Sequence, residues 1–206
     1  MTHLRGKFIV FDGGEGCGKS TQSKLLESRL RDGGIDVLNV RDPGTTRIGE
    51  LIRSILLNPD HMEMGMRCEM LLYMSARAQM MHESIAPALE SGKFVISDRF
   101  VSSTLSYQLG GDGITREEIL AVAKIALKKY WPDFIFILDM PVEQSIARVK
   151  RAKDRIEQRS REYHEQVRQN YLAQAKAEPG RYRVIRADRT PEEVHAEIWD
   201  AVSSLK

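Results

Sequence analysis

Residues 7–21 read KFIVFDGGEGCGKST, in which a short apolar run leads into a glycine-rich turn. The positions that fill the pattern G-x-x-x-x-G-K-[ST] are Gly13, Gly18, Lys19 and Ser20. In this pattern glycines expose successive backbone N–H groups to phosphate oxygens, the lysine reaches the β- and γ-phosphates, and the hydroxyl ligates Mg²⁺. A predicted strand at residues 7–12 precedes the turn and an amphipathic helix at residues 20–31 follows it. This context favours a nucleotide-phosphate loop over a plain glycine turn.

The bulk composition limits the class of protein. The chain has 206 residues, of which 42% are hydrophobic and 29% charged, and this suits a single domain with a sizeable core. A net charge of +2 gives no electrostatic reason to expect a nucleic-acid or membrane partner. The two cysteines, Cys17 and Cys68, do not make a disulfide framework. A strand that begins at residue 7 leaves no room for a signal peptide, and no apolar run approaches about 18 residues, so we expect a cytoplasmic protein.

Apolar segments alternate with helical patterns along the whole chain. The predicted strands are residues 7–12, 35–41, 93–98, 134–139 and 182–187. The predicted helices are residues 20–31, 48–57, 63–91 with a bend near Pro87, 99–108, a helix after the capping box at 115–118, one opened by Pro141, one ending near Glu178, and one after the capping box at 190–193. This alternation predicts an α/β fold with a five-stranded parallel sheet and helices on both faces. The methionine stripe in residues 66–80 is expected to pack into the core.

Polar residues stand where four of the predicted strands end. They are Asp12, Arg41 with Asp42, Asp98 with Arg99, and Asp139. Ligands of parallel α/β sheets bind at the carboxyl ends of the strands. These side chains are therefore predicted to converge on one edge of the sheet, beside the phosphate loop.

Four segments together resemble the thymidylate kinase family. Residues 98–108 (DRFVSSTLSYQ) are similar to the family pattern D-R-[YFH]-x-x-S-x-x-A-Y-Q, and residues 69–79 (EMLLYMSARAQ) to E-x-L-L-F-x-A-x-R-x-Q. Residues 154–157 (DRIE) match the lid motif D-R-[FI]-E, and residues 41–44 (RDPG) resemble the R-E-P-G turn. The matches keep the family's order and cover residues 8 to about 190.

The resemblance implies a P-loop kinase fold and a phosphotransfer reaction. It implies a single nucleoside monophosphate kinase domain over residues 1–206, with a mobile lid at about residues 148–160. The implied activity transfers the γ-phosphate of ATP to dTMP, giving ADP and dTDP, with Mg²⁺ as cofactor and a homodimer as the assembly. Apolar helix faces around residues 63–80 are candidates for the dimer interface.

The resemblance also assigns site residues. The ATP-binding candidates are Gly13, Gly14, Glu15, Gly16, Cys17, Gly18, Lys19, Ser20 and Thr21. The dTMP-binding candidates are Asp12, Glu15, Pro43, Arg53, Tyr73, Arg77, Arg99, Ser103, Thr104, Tyr107 and Gln108. The candidate metal ligands are Ser20 and Asp98, and the candidate catalytic residues are Lys19, Asp98, Arg99, Arg151 and Arg155.

Physical chemistry supports these roles, but each residue has an alternative. Arg99 can offer a bidentate fork to a phosphate dianion or form a surface salt bridge. Asp98 can order Mg²⁺ through water, position Arg99, or cap the following helix. Tyr73 can stack on a base or pack in the core. Arg77 lies on the same helix face as Tyr73 and is harder to explain as core, because an unpaired buried guanidinium is costly. Cys17 is either a small filler of the loop or a redox switch.

The lid is expected to supply a catalytic arginine. Some family members carry an arginine inside the phosphate loop, whereas this loop has Glu15-Gly16 there. That resembles the bacterial subclass with a lid arginine, for which Arg155 is the first candidate and Arg151 the second. An arginine delivered by a closing lid can stabilise charge on the transferring phosphoryl group.

Three departures from the family pattern stand out. Thr45 follows Gly44 where the family usually has a second glycine, Ser106 replaces an alanine near the sugar, and the lid is short and lacks its glycine. The open alternatives are a kinase of the same fold for another deoxynucleotide or deoxynucleoside, a nucleotide-dependent switch or binder, and a degenerate kinase kept as a scaffold. A GTPase would need an [NT]-K-x-D motif, which the sequence lacks.

Overall fold

A computed structural model of the chain describes residues 2–150 and 152–205. Within them one sheet contains the strands β1 (Phe8–Gly13), β2 (Val37–Arg41), β3 (Phe94–Asp98), β4 (Phe134–Asp139) and β5 (Tyr182–Arg186). The strands run parallel in the order β2-β3-β1-β4-β5. The predicted five-stranded parallel sheet is confirmed, and the phosphate loop leaves its central strand.

The helices cover both faces of the sheet, as predicted. They are α1 (Lys19–Asp32), α2 (Arg47–Leu57), α3 (Met66–Met80), α4 (Ala86–Glu90), α5 (Val101–Tyr107), α6 (Arg116–Leu127), α7 (Val142–Ala147), α8 (Arg161–Ala177) and α9 (Pro191–Ser203). Side chains of β1 alternate between the two cores, because successive residues of a strand point to opposite faces. Phe8 and Val10 join the core under α3, α5, α6 and α8, whereas Ile9 and Phe11 join the core under α1 and α9.

Local signals fixed several boundaries. Both predicted capping boxes are present, at Thr115 with Glu118 and at Thr190 with Glu193. The long helical stretch predicted at residues 63–91 is interrupted earlier than Pro87, by a π-helical turn at Met81–Ile85 between α3 and α4. Helix α7 ends at Ala147, and the described residues between α7 and α8 form turns and irregular structure.

The apolar stripes have different surroundings. The methionines at 70, 74 and 80 are buried in the core, as predicted. On α2, by contrast, Ile48, Leu51 and Ile55 are 39%, 56% and 43% exposed. Among the described residues no helix is long and apolar enough to span a membrane.

Candidate active site

A cleft of about 450 Å³ opens at the carboxyl edge of the sheet. Sixteen predicted site residues line it: Glu15, Gly16, Gly18, Lys19, Ser20, Thr21, Pro43, Arg53, Tyr73, Arg77, Asp98, Arg99, Ser103, Thr104, Tyr107 and Gln108. The cleft is also lined by Arg41, Asp42, Leu57, Arg148, Asp154 and Ile156. The structure thus brings the two predicted halves, phosphate loop and acceptor residues, into one space.

The phosphate loop needs its glycines for space as well as for conformation. Gly13, Gly16 and Gly18 have φ values of 135°, 73° and 96°, which disfavour side chains. A Cβ on Gly13 would collide with the carbonyl of Leu138, and one on Gly16 with that of Ser145. The glycines therefore let the loop pack closely against β4 and α7.

Lys19 is the first residue of α1 and its ammonium lies back over the loop. Its Nζ donates to the carbonyl oxygens of Gly14 at 2.7 Å and Gly13 at 3.3 Å. Gly18, the N-cap of α1, has no side chain to occupy the helix N-terminus. The free backbone N–H groups and the cation together make an anion site.

Ser20 and Asp98 place two oxygen-bearing side chains beside that anion site. The Ser20 hydroxyl donates to Asp98 Oδ2 at 2.6 Å. Asp98 does not cap α5, whose N-cap is Phe100 and has no side-chain cap bond. A hydroxyl and a carboxylate are the hard oxygen donors that Mg²⁺ takes alongside water and phosphate oxygens. Among the described residues there is no cluster of three or more acidic, histidine or cysteine ligands, so these two residues fit an ion that the phosphates also hold.

Arg99 is anchored inside the cleft and is not a surface salt bridge. Its side chain is 15% exposed. One guanidinium nitrogen donates to Gly13 O at 3.0 Å and to Ser103 Oγ at 3.1 Å, and the other pairs with Glu15. Burial lowers the pKa of Arg99, but Glu15, Tyr107, Tyr171 and Asp12 together outweigh this effect and the pKa is raised overall. The residue has a left-handed φ of 72°, an unusual conformation typical of functional sites.

A buried carboxylate and three hydroxyls support Arg99 from below. Tyr171 Oη donates to Asp12 Oδ1 at 2.9 Å and accepts from Arg99 Nη1 at 3.1 Å. Ser102 and Ser103 also donate to Asp12. Burial raises the pKa of Asp12, while Arg99 and the hydroxyl donors oppose that rise.

This network corrects one sequence-based expectation and adds a residue. Asp12 was a dTMP-binding candidate, but it is fully buried and does not line the cleft. Its oxygens are occupied by hydroxyl groups that hold Arg99 in place. Tyr171 was not predicted, because on α8 it follows Val167 by four residues and reads as part of a core stripe.

Arg77 is a buried cation with a specific partner. It is 1% exposed, and its Nε donates to Asp42 Oδ2 at 2.5 Å. Further bonds run to Phe100 O at 3.1 Å and Thr104 Oγ1 at 3.3 Å. Burial raises the pKa of Asp42 and the charge of Arg77 opposes this. Removing a guanidinium from water is costly, and the ion pair with Asp42 offsets this cost for Arg77.

A second arginine stands on the α2 side of the cleft. Arg53 Nη1 donates to Pro43 O at 2.9 Å. Burial, together with the neighbouring charge of Arg41, lowers the pKa of Arg53. Two fixed guanidinium groups, Arg53 and Arg99, thus line the cleft with Lys19. This concentration of positive charge suits phosphate groups.

The arginines of the predicted lid differ in whether they face the cleft. The structure does not bring Arg155 to the phosphate loop: the side chain is 2% exposed, pairs with Glu69 at 2.6 Å and donates to Leu56 O at 2.8 Å. A buried guanidinium requires such partners, which explains why it is held against the helices. Arg148 does line the cleft. Arg151 lies outside the described residues.

The cysteine of the loop has the properties of a filler. Cys17 is buried in the core under α1. Burial raises the pKa of its thiol, with Lys19 opposing the rise. A thiol with a raised pKa is unreactive, which favours the packing role over a redox switch.

With this geometry established, comparison with known proteins decides the family. A thymidylate kinase family model matches residues 11–198. The chain belongs to the thymidylate kinase family. The thymidylate kinase of Pelotomaculum thermopropionicum is 44% identical over 205 residues, covering 98% of this chain and 95% of that protein. That of Halothermothrix orenii is 43% identical and covers 97% of each chain. The crystal structure of thymidylate kinase from Ehrlichia chaffeensis superposes with a TM-score of 0.77 at 29% identity, covering 96% of this chain and 98% of that one.

Two departures from the thymidylate kinase pattern now have a structural description. Thr45, at the usual glycine position, has a left-handed φ of 69°, so the chain keeps the glycine-like backbone with a β-branched residue. Ser106, expected near the sugar, instead turns toward α8. Its hydroxyl donates to Ser102 O at 2.9 Å and accepts from Gln174 Nε2 at 2.8 Å.

Proposed function

We propose that this thymidylate kinase family member transfers the γ-phosphate of ATP to dTMP, producing ADP and dTDP. The observation that carries the proposal is the shared cleft. Lys19 and Ser20 of the phosphate loop open onto the same space as Arg99, Tyr73 and Arg77. A donor site and an acceptor site with a base-reading pair are what a two-substrate kinase requires.

The donor half is assigned to residues 13–21. Their backbone N–H groups cradle the phosphates, and Lys19 leaves its carbonyl partners to reach the β- and γ-phosphates. Ser20 and Asp98 would hold Mg²⁺. When bound, this ion neutralises charge on the phosphate oxygens.

The acceptor half is assigned to α2, α3 and α5. Arg99 exchanges its pairing with Glu15 for the dTMP phosphate, with Arg53 as the second cation, and Glu15 turns to the 3′-hydroxyl. Tyr73 stacks on thymine and Arg77 donates to a base carbonyl. The remaining acceptor contacts are assigned to Pro43, Ser103, Thr104, Tyr107 and Gln108. Tyr107 packs against C2′, where it disfavours a ribose hydroxyl.

The transfer itself is in-line and needs no covalent intermediate. The enzyme positions the two phosphates and stabilises the charge that spreads over the transferring group. Residues 148–160 are proposed as the lid, with Arg148 as its cleft-lining arginine and Arg151 as a further candidate. A single kinase domain spans the chain.

An ADP-release assay with five acceptors tests this proposal. We expect the highest kcat/KM with dTMP, less with dUMP and dCMP, little with UMP because of Tyr107, and none with thymidine, which lacks the phosphate that Arg99 binds. In an Arg99→Ala variant, turnover should fall by about 100-fold or more while ATP binding stays intact. Preference for thymidine over dTMP, or near wild-type turnover of the variant, would refute the assignment.

The assembly and location are proposed on separate observations. The exposed apolar residues of α2, together with Leu71 of α3 at 49% exposed, form a face suited to a second copy of the chain. We therefore propose a homodimer, whose interface includes α2 as well as the predicted α3. Both cysteines are free thiols, as is typical of reducing compartments, which supports a cytoplasmic location.

A further inference from the structure

Glu69 is a fully buried carboxylate that binds three side chains from other parts of the chain. It lies on α3, and its Oε1 accepts from Gln108 Nε2 at 2.7 Å. Its Oε2 accepts from Arg155 Nη2 at 2.6 Å and from Arg159 Nη2 at 2.8 Å. No role in the reaction follows from its position, because Glu69 itself does not line the cleft.

The two arginines belong to the segment just before α8, and that segment is docked on the acceptor side. Arg155 donates to the Leu56 carbonyl at 2.8 Å through Nε and to the Leu57 carbonyl at 3.1 Å through its backbone N–H. Leu57, Asp154 and Ile156 line the cleft. The pairing of Arg155 with Glu69 therefore fixes one wall of the space assigned to the acceptor.

The third partner, Gln108, lines the same cleft directly after α5. An amide can turn either its NH₂ group or its carbonyl oxygen toward a neighbour, and only the hydrogen-bond network decides which. Glu69 is paired with two guanidinium groups, so its carboxylate accepts hydrogen bonds and has none to donate. Glu69 therefore requires the NH₂ group of Gln108, so the amide oxygen of Gln108 points away from Glu69.

We propose that Glu69 is a positioning residue for the acceptor nucleotide, a pyrimidine nucleoside monophosphate. It acts by fixing the amide orientation of Gln108 and by holding residues 154–156 against α2. This inference rests on the proposed function for the identity of the acceptor. None of the three partners of Glu69 belongs to the phosphate loop at residues 13–21, so the inference leaves that loop unchanged.

The matching test is Glu69→Gln, which keeps size and removes charge. The amide has one acceptor oxygen for three donors, so it cannot satisfy Gln108 and both arginines. We expect the KM for dTMP to rise by about 10- to 100-fold, the range for losing hydrogen bonds to a charged group. The KM for ATP should stay within about threefold, since the phosphate loop is untouched. A KM for dTMP within threefold of wild type, or equal increases in both KM values, overturns the proposal.

Two further variants separate positioning from loss of stability. Ile198→Ala creates a cavity in the core on the opposite face of the sheet and lowers Tm without touching the site. When its loss of stability equals that of Glu69→Gln, Ile198→Ala should leave the KM values for dTMP and ATP unchanged. If Glu69→Gln does not fold, Glu69→Gln with Arg155→Met removes the two fully buried charges together, which proteins tolerate better than one unpaired buried charge. Arg159 keeps its charge, but its side chain is 20% exposed and can be solvated. That double variant should still raise the KM for dTMP selectively, and a wild-type KM in it overturns the proposal.

The wild-type protein is measured first in the same assay. Absence of turnover with every monophosphate refutes the proposed function. If another monophosphate is the better acceptor, the ratio of variant to wild-type KM is taken with that acceptor. The ratio alone then decides the role of Glu69.

Discussion

At the scale of single residues, the best-defined part of the site is the support beneath Arg99. Asp12 accepts from three hydroxyl groups, and two of them, those of Ser103 and Tyr171, also accept from Arg99. A buried carboxylate whose donors are removed pays its desolvation cost without compensation. The hydroxyl of Tyr171 should therefore affect both stability and the placement of Arg99.

Replacing Tyr171 by phenylalanine tests this support. We expect a loss of about 1–3 kcal/mol in the free energy of unfolding, and kcat/KM for dTMP lower by about tenfold with little change in the KM for ATP. The Tyr171 hydroxyl donates to Asp12 and so favours its ionised form. Its removal therefore raises the pKa of Asp12, which burial already raises, still further. The difference in the free energy of unfolding between wild type and Tyr171→Phe should thus increase as pH rises through the pKa of Asp12. It should decrease at lower pH, where Asp12 is protonated in both proteins.

The control is Tyr182→Phe, at the start of β5. Its hydroxyl contacts Gln174 Oε1 at 3.4 Å and does not line the cleft. Chemical denaturation at several pH values and steady-state kinetics measure both variants. A Tyr171→Phe protein with the kinetics of the Tyr182→Phe control would show that Arg99 does not depend on this hydroxyl.

The cleft shows which site residues a sequence can reveal. Residues that belong to a spaced motif, such as Lys19, Arg99 and Arg77, were predicted because the motif implies their chemistry. Glu69 and Tyr171 were given no role, and Asp42 was predicted only to lie at the sheet edge, because all three act by contacts between segments that lie far apart in the chain. The buried pairing of Arg155 was not predicted for the same reason, since its partner Glu69 precedes it by 86 positions.

At the scale of elements, the turn between β2 and α2 carries a threonine in a left-handed conformation at the position where we expected a glycine. Thr45 has a left-handed φ, which costs a non-glycine residue about 1–2 kcal/mol. The hydroxyl offsets part of this cost: Thr45 Oγ1 accepts from Arg41 N at 2.9 Å and donates to Arg41 O at 3.1 Å. A threonine is tolerated here because its side chain closes the turn.

Two substitutions separate these opposing contributions. Thr45→Val keeps the β-branched strain and loses both hydrogen bonds, so we expect a loss of about 1–2 kcal/mol in the free energy of unfolding. Thr45→Gly loses the same bonds but relieves the strain, so it should be more stable than Thr45→Val by about 1 kcal/mol. Urea unfolding of the three proteins gives the order. A valine variant as stable as wild type would mean that the hydroxyl contributes nothing.

Elements with strong local signals were predictable, and those set by tertiary contacts were not. The strands and both capping boxes follow from hydrophobic pattern and cap chemistry. The π-helical turn at Met81–Ile85 has no such signal, because nothing in that run marks a change of helical pitch. Helix α7, predicted to open at Pro141, ends at Ala147. The next residue, Arg148, lines the cleft and donates to Ala187 O.

At the scale of the whole molecule, the part of the chain that the structure describes exposes several apolar residues on α2 and α3. Ile48, Leu51 and Ile55 lie at helical spacing on one side of α2, with Leu71 of α3 as a fourth exposed apolar residue. Because α2 also carries Arg53 and packs on α3, which carries Tyr73 and Arg77, a partner on this face would steady the acceptor half of the cleft. Dimer formation and acceptor binding should therefore be linked.

Placing a charge in the middle of this face tests the linkage. Leu51 is 56% exposed, so Leu51→Glu should fold, yet burying its carboxylate in an interface is costly. We expect light scattering to give wild type about twice the 23.5 kDa chain mass and Leu51→Glu the mass of one chain. The KM for dTMP should rise in the variant more than the KM for ATP.

The control is Ile125→Glu on α6, where the isoleucine is 79% exposed and the dimer should persist. The dimer is contradicted if the wild-type protein is monomeric at assay concentrations. The linkage is contradicted if Leu51→Glu is monomeric and its KM for dTMP is unchanged, because α2 would then hold Arg53 in place without a partner.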